Sequence, residues 1–100
     1  MAIETLPFDA ARYLKSTEAQ TELLSDAFAS GDARYIATAL GVVARARGMT
    51  QVAREAGVTR EALYKALSED GDPRLTTLIG VLKALGIRLS AAPADTDRAA

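Results

Sequence analysis

Glycines divide this chain into short segments, and each segment is rich in residues that favour helices. Gly31, Gly48, Gly57, Gly71 and Gly86 each follow such a stretch, the position of a residue that ends a helix in the left-handed conformation. Alanine supplies 21 of the 100 residues. It is the strongest helix former, whereas β-branched and aromatic residues, which favour strands, are few. The sequence therefore predicts an all-α fold of five to six short helices.

Residues that cap the N-termini of helices precede most of these segments. Asp9, Thr17, Asp32, Thr50 and Thr59 are of this type, and Thr17 has a glutamine three residues on, the spacing of a capping box. Together the start and stop signals predict helices near 9–15, 17–30, 33–47, 50–56, 60–68 and 75–85.

Apolar residues recur at helical spacing in two of the segments, and both stripes are predicted to face the core. The stripes are Ile36, Leu40, Val43 and Ala44, and Leu75, Leu78, Ile79, Leu82 and Leu85.

In residues Ile87–Ala91 apolar and polar side chains alternate instead, which is the period of a strand and predicts a possible short C-terminal strand. The tail at 92–100 has no large apolar residue and is predicted to fray. Residues 1–91 would thus form a single domain.

Histidine and cysteine are absent from the chain, which removes the usual general base, the zinc ligands and the best nucleophile. The densest acidic cluster is Glu69, Asp70 and Asp72, and its spacing is that of a solvated turn and not of a calcium loop. We therefore expect no enzyme, no cofactor and no metal.

The longest apolar run, Ile36 to Ala44, is far shorter than the roughly 20 residues of a membrane helix. With no signal-peptide pattern at the start of the sequence, we expect a cytoplasmic protein.

Charge is distributed unevenly along the chain. Residues 1–33 carry two basic and six acidic side chains, residues 34–65 carry six and two, and residues 66–100 carry four and five. The middle block is the basic one. A basic patch suits a nucleic-acid partner, although a solvated helix face also collects arginine and lysine.

The segment 49–67 contains two predicted helices that meet at Gly57. A small residue at Ala53 allows the helices to pack closely, Gly57 permits a positive φ, and Val58 fills the angle between them. In the second helix, the residues predicted to point inward are Ala62, Leu63, Ala66 and Leu67. Those predicted to point outward are Arg60, Glu61, Tyr64, Lys65 and Ser68. Side chains of the outward kind can contact base edges in a DNA major groove, but an ordinary surface helix can also carry them.

The segment resembles the helix-turn-helix of the phage repressor and Cro class, here at residues 49–68. Over residues 5–91 the chain resembles the HigA-like addiction-module antidotes. The motifs that carry this likeness are Leu-Pro-Phe-Asp, Gly-Met-Thr-Gln, Gly-Val-Thr-Arg-Glu-Ala-Leu-Tyr-Lys-Ala-Leu-Ser, Gly-Asp-Pro-Arg-Leu and Lys-Ala-Leu-Gly-Ile. The resemblance implies a Cro/C1 repressor-like DNA-binding domain with an N-terminal helical extension, the acidic residues 1–33.

The resemblance also implies a function. The chain would be the antitoxin of a type II toxin-antitoxin module that neutralises a RelE/HigB-like toxin and represses its own operon. It would bind a palindromic operator in double-stranded DNA as a homodimer. The alternative is a stand-alone phage-type repressor without a toxin, which the same motif supports equally well.

By the same resemblance, eight residues form the predicted DNA-binding set. Gln51 would approach a phosphate at the start of the first motif helix. Arg74 would contact the DNA backbone beyond the second motif helix. Thr59 can instead be only a helix cap, and Glu61 can simply favour a helix N-terminus. The full set is Thr50, Gln51, Thr59, Arg60, Glu61, Tyr64, Lys65 and Arg74.

Overall fold

The computed structural model describes residues 16–94, and these residues contain five α-helices and no strand. The helices are α1 (Thr17–Ser30), α2 (Ala33–Arg47), α3 (Met49–Ala56), α4 (Arg60–Ala66) and α5 (Leu75–Ala84). The all-α prediction is confirmed for this part of the chain, and the bounds agree with the sequence to within two residues. The helix predicted at 9–15 lies outside the described residues.

The possible strand at Ile87–Ala91 is not formed. The Ile87 N–H bonds back to the Leu82 carbonyl at 2.9 Å, which completes the end of α5. From there to residue 94 the chain is irregular. Alternation of apolar and polar residues was a misleading signal here because a strand also needs a second strand to pair with, and the described residues supply none.

Side-chain caps begin three of the helices. Asp32 accepts hydrogen bonds from the Arg34 and Tyr35 N–H groups at 3.0 and 3.4 Å, as the sequence predicted. The cap of α1 is Ser16, which accepts from the Ala19 N–H at 3.1 Å, so the prediction of Thr17 as the cap was wrong by one residue. The cap of α4 is described with the site below.

Helix α3 starts in another way. It begins at Met49 directly after Gly48, and no side chain caps it. The prediction of Thr50 as a cap was therefore wrong, because Thr50 is already the second helical residue. Gly48 has a φ of 115°, and the φ angles of Gly31, Gly57 and Gly86 are also positive. The φ angle of Gly71 is not in this range.

One hydrophobic core joins all five helices, and α3 packs against α2, α4 and α5 within it. Each helix contributes at least one side chain that is at most 2% exposed. These side chains include Leu24 of α1, Leu40 and Val43 of α2, Val52 of α3, Leu63 of α4, and Val81 and Leu82 of α5. Every helix is therefore held by burial of its apolar face against its neighbours.

The predicted core stripe of α5 is only half correct. Leu82 and Leu85 are buried, but Leu75 is 67% exposed and Ile79 is 39% exposed. Leu75 and Ile79 are one helical turn apart, so they share a face that the described residues leave partly exposed. Periodicity indicates which side of a helix is apolar, but it does not indicate whether that side is covered within one chain.

Helices α2 and α4 approach each other closely at Gly41. A Cβ atom at this position would lie 2.7 Å from the carbonyl oxygen of Leu67, which follows α4 directly. Real Cβ atoms do not come this close to backbone oxygen, so any larger residue would push the two helices apart. The absence of a side chain at Gly41 therefore fixes α2 against the end of α4.

Two side-chain contacts join helices at the periphery. The Tyr35 hydroxyl donates to Asp26 Oδ2 at 2.6 Å and joins α2 to α1; this hydrogen bond raises the pKa of Tyr35. Arg47 Nη2 donates to the Leu85 carbonyl at 2.7 Å. A guanidinium at that position satisfies a carbonyl that the end of α5 leaves free and complements the negative end of the helix dipole.

No helix in residues 16–94 combines the length and the apolar character that crossing a membrane requires.

Replacing Gly57 with valine should destabilise the fold. Gly57 ends α3 with φ at 77°, a conformation that costs a β-branched residue about 1–3 kcal/mol. No atom lies within 4 Å of the position a Cβ would take, so the cost should come from the backbone alone. Chemical denaturation of Gly57→Val should show this loss, and Gly57→Asn should lose less because asparagine tolerates positive φ. Equal stability of Gly57→Val and the wild type would contradict the assignment of the turn.

Candidate nucleic-acid interface

Helix α4 divides into one buried and one exposed side. Leu63 has no exposed surface and Leu67 has 2%, and both anchor the helix to the core. On the other side Arg60, Glu61, Tyr64 and Lys65 are exposed, as predicted. Ala62 is exposed as well, so its prediction as a core residue was wrong. It lies about 100° around the helix from Leu63, outside the side of α4 that faces the core.

The turn before α4 sets the position of its first residues. Gly57 donates its N–H to the carbonyls of Ala53 and Arg54, and Val58 bonds to the Ala53 carbonyl at 3.0 Å. Thr59 Oγ1 then accepts from the Ala62 N–H at 3.0 Å. Thr59 is therefore the N-cap of α4, which is one of the two roles that the sequence indicated for it. Three residues therefore carry the chain from α3 into α4.

Tyr64 and Arg60 are in contact on the exposed side of α4. Arg60 Nη2 donates to the Tyr64 hydroxyl at 3.4 Å, and its guanidinium carbon lies 5.5 Å from the centre of the ring. This distance is within the range of a cation–π interaction. The hydrogen bond raises the pKa of Arg60 above its already high usual value, so Arg60 is a permanent positive charge at the start of α4.

Sequence reasoning missed a third member of this group, Arg45 of α2. Its guanidinium carbon lies 5.9 Å from the centre of the Tyr64 ring, although the two residues are far apart in sequence. No local pattern indicates that Arg45 and Tyr64 are in contact. Gly41, one turn before Arg45, indicates only that something packs closely there, because an isolated glycine inside a helical stretch often has a packing role.

The remaining predicted residues stand apart from this group. Gln51 Nε2 donates to Glu55 Oε2 at 3.2 Å on α3, and Thr50 is exposed beside it. Arg74 is exposed at the N-cap position of α5. Lys65 is exposed on α4 itself, whereas within residues 16–94 no hydrogen bond or ion pair joins Thr50 or Arg74 to a residue of α4.

The charges near α4 leave its arginines without carboxylate partners. In the described part of the chain, Arg34 and Glu69 form an exposed ion pair at 3.8 Å, whereas neither Arg45 nor Arg60 belongs to an ion pair. Exposed pairs such as Arg34–Glu69 contribute little to stability. The same described residues hold no group of three acidic side chains that could bind a metal ion. The chemistry of this surface is therefore that of three cations, Arg45, Arg60 and Lys65, and one carboxylate, Glu61, near one aromatic ring.

Comparison with known proteins agrees with the resemblance to addiction-module antidotes. The sequence profile of a family described as "Probable addiction module antidote protein" matches residues 4–93. A protein of Haemophilus influenzae (strain Rd), described as uncharacterized, is 44% identical over 81 residues, which cover 81% of this chain and 84% of that protein. No solved structure is significantly similar. With 90% of its length matched to one profile, this chain belongs to the family of probable addiction module antidote proteins.

Proposed function

We propose that this protein is a DNA-binding antitoxin that represses its own operon and neutralises a RelE/HigB-like toxin in the cytoplasm. The observation that carries the DNA-binding half is the exposed side of α4. A seven-residue helix anchored by Leu63 presents Arg60, Glu61, Tyr64 and Lys65 to solvent, and a tight turn at Gly57 holds it beside α3. A short helix presented in this way fits the major groove of B-DNA.

In this proposal the residues divide into two groups by what they contact. Arg60 and Lys65 donate to guanine, Glu61 accepts from cytosine, and Thr59 and Tyr64 contact the bases or the sugar beside them. Thr50 and Gln51 lie at the N-terminus of α3, where helix N–H groups favour a phosphate, and Arg74 adds a phosphate contact at the start of α5. Base contacts give sequence preference, whereas phosphate contacts give affinity for any duplex.

Substitutions of Arg60 and Gln51 should have different effects. Arg60→Ala should cost about 1–3 kcal/mol on the operator and relax the preference at one base pair. Gln51→Ala should weaken binding to every duplex by a similar factor, because a phosphate contact carries no base information. Fluorescence anisotropy with a panel of single-base operator variants measures both. If both substitutions lowered the affinity for every duplex equally, the assignment of Arg60 to a base would be wrong.

The exposed face of α5 supports a homodimer. Leu75 and Ile79 are 67% and 39% exposed, and apolar groups that adjoin on a surface are typical of interfaces. One recognition helix buries too little surface for tight specific binding. A two-fold dimer places two copies of α4 on the two halves of a palindromic operator.

Ile79→Glu should convert the dimer into a monomer and weaken operator binding. A charge buried in an apolar interface is strongly unfavourable, while in the monomer the same side chain points into solvent. Ser25→Glu is the matched control, since it adds the same charge at an exposed position of α1, away from the exposed face of α5, and should remain dimeric. Sedimentation velocity distinguishes these states. A wild type that stays monomeric on its operator would contradict the proposed dimer.

The toxin-binding half of the proposal is supported by the family and by the charge of α1. Glu18, Glu22 and Asp26 are exposed and spaced four residues apart on one side of α1. Residues 16–33 contain no lysine or arginine. Such a surface is complementary to a basic partner and unfavourable against DNA. In this proposal DNA binds the basic surface around α4, and the toxin binds the acidic side of α1. Membership of the antidote family favours an antitoxin over a repressor without a toxin partner.

The double substitution Glu18→Lys and Glu22→Lys should weaken toxin binding and slow association, with little change in operator affinity. In this proposal the toxin is encoded by a reading frame next to this gene, and isothermal titration calorimetry with that product measures its affinity. Asp70→Lys with Asp72→Lys makes the same charge change in the loop before α5 and should leave toxin affinity unchanged. An unaltered affinity in the α1 variant would move the toxin interface elsewhere.

A further inference from the structure

Arg45 lies outside the segment whose resemblance to a helix-turn-helix indicated DNA binding. It belongs to α2, the helix before α3, and its guanidinium carbon lies 5.9 Å from the centre of the Tyr64 ring on α4. Arg45 is exposed and Tyr64 is 37% exposed. The contact therefore brings a charge from a third helix to the surface proposed to face DNA.

The backbone explains how Arg45 reaches α4. At Gly41, one turn earlier, α2 comes so near that an added Cβ would lie 2.7 Å from the Leu67 carbonyl oxygen. Arg45 Nη1 lies 3.5 Å from the same added atom, so its side chain folds back along this contact between the two helices. The Arg45 guanidinium therefore lies between Gly41 of α2 and the Tyr64 ring.

Two positive charges share this one ring. Arg60 lies 5.5 Å from the ring centre and also donates to the Tyr64 hydroxyl. Neither guanidinium belongs to an ion pair within residues 16–94. The ring attracts each guanidinium group. With neither arginine in an ion pair among the described residues, a phosphate suits this position, because arginine can bind phosphate oxygens with two parallel hydrogen bonds.

We propose that Arg45 of α2 contacts a backbone phosphate of the bound duplex, beside the base pair that Arg60 contacts, and that Tyr64 is the positioning residue for both arginines. This inference rests on the proposed DNA binding by α4. It extends the DNA surface to a helix outside the α3–α4 unit. The same phosphate would also help to set the angle at which α4 enters the groove, because α2 lies close to the residue that ends α4, Leu67, at Gly41.

The test measures the salt dependence of DNA binding by the full-length protein. Fluorescence anisotropy titrations use the operator duplex and a scrambled duplex over a series of salt concentrations. In Arg45→Gln, the affinity for both duplexes should fall by the same factor. The slope of log K against log salt should become less steep by about 0.9 for each protomer bound. An unchanged slope and affinity on both duplexes would overturn the proposal.

A matched control separates a local contact from the general effect of charge. Arg88 is exposed and adjoins α1, α5 and the segment that follows α5, with no α4 residue in the two surface clefts that it lines. Arg88→Gln removes the same charge and should leave the slope unchanged; because Arg88 shares a cleft with Ile79, sedimentation velocity establishes that this variant is still dimeric. An equal loss of slope in Arg88→Gln would show that net charge alone is responsible and would overturn the proposal.

Variants of Tyr64 test the positioning role. Tyr64→Phe keeps the ring face and should keep the effect of Arg45, whereas Tyr64→Leu removes the ring. In the Tyr64→Leu background, Arg45→Gln should therefore change the slope less than it does in the wild type. Equal effects in the two backgrounds would overturn the role of Tyr64. Thermal melts by circular dichroism establish that each variant is folded.

The outcomes also separate this inference from the proposed function. If the wild type binds DNA and Arg45→Gln binds equally well with the same slope, only the contribution of Arg45 is overturned. If the wild type binds neither duplex, the proposed DNA binding fails and the inference fails with it.

Discussion

The burial of Leu63 is the interaction on which the proposed site depends. Isolated helices shorter than about 12–15 residues are marginal in water, and α4 has seven residues. It is therefore stable only while Leu63 and the following Leu67 are packed into the core formed by the other helices. Because this packing uses one side of α4, the polar residues of the other side are held at fixed positions without forming any part of the core.

One turn and one close approach between backbone segments then determine what surrounds α4. The turn at Gly57 joins α4 to α3, and Gly41 lets α2 lie against the end of α4. The first was predictable from sequence, because a glycine followed by a capping threonine between two helical segments is typical of a tight turn. The second was not predicted, since a glycine inside a helix does not indicate which element approaches it. The contact between Arg45 and Tyr64 depends on this second approach, and sequence reasoning missed it for that reason.

The elements themselves were largely predictable, and the errors have local causes. Capping by Asp32 and Thr59 was correct, whereas Ser16 and not Thr17 caps α1, because adjacent hydroxyl residues give the same signal. Ala62 was assigned to the core because alanine is compatible with both environments. Leu75 and Ile79 are exposed although their spacing is that of a core stripe, which is the pattern expected if a second copy of the chain covers them. The DNA contacts of the eight residues stay predictions.

In the proposed function, the basic surface around α4 binds specific DNA. A gel shift of the purified wild-type protein with the DNA just upstream of its own gene is the decisive measurement. Unrelated DNA serves as competitor, at two salt concentrations, because phosphate contacts weaken steeply with salt. We expect a shifted band that survives competition and weakens at the higher salt. A shift that unrelated DNA abolishes, or the absence of any shift, would contradict the claim.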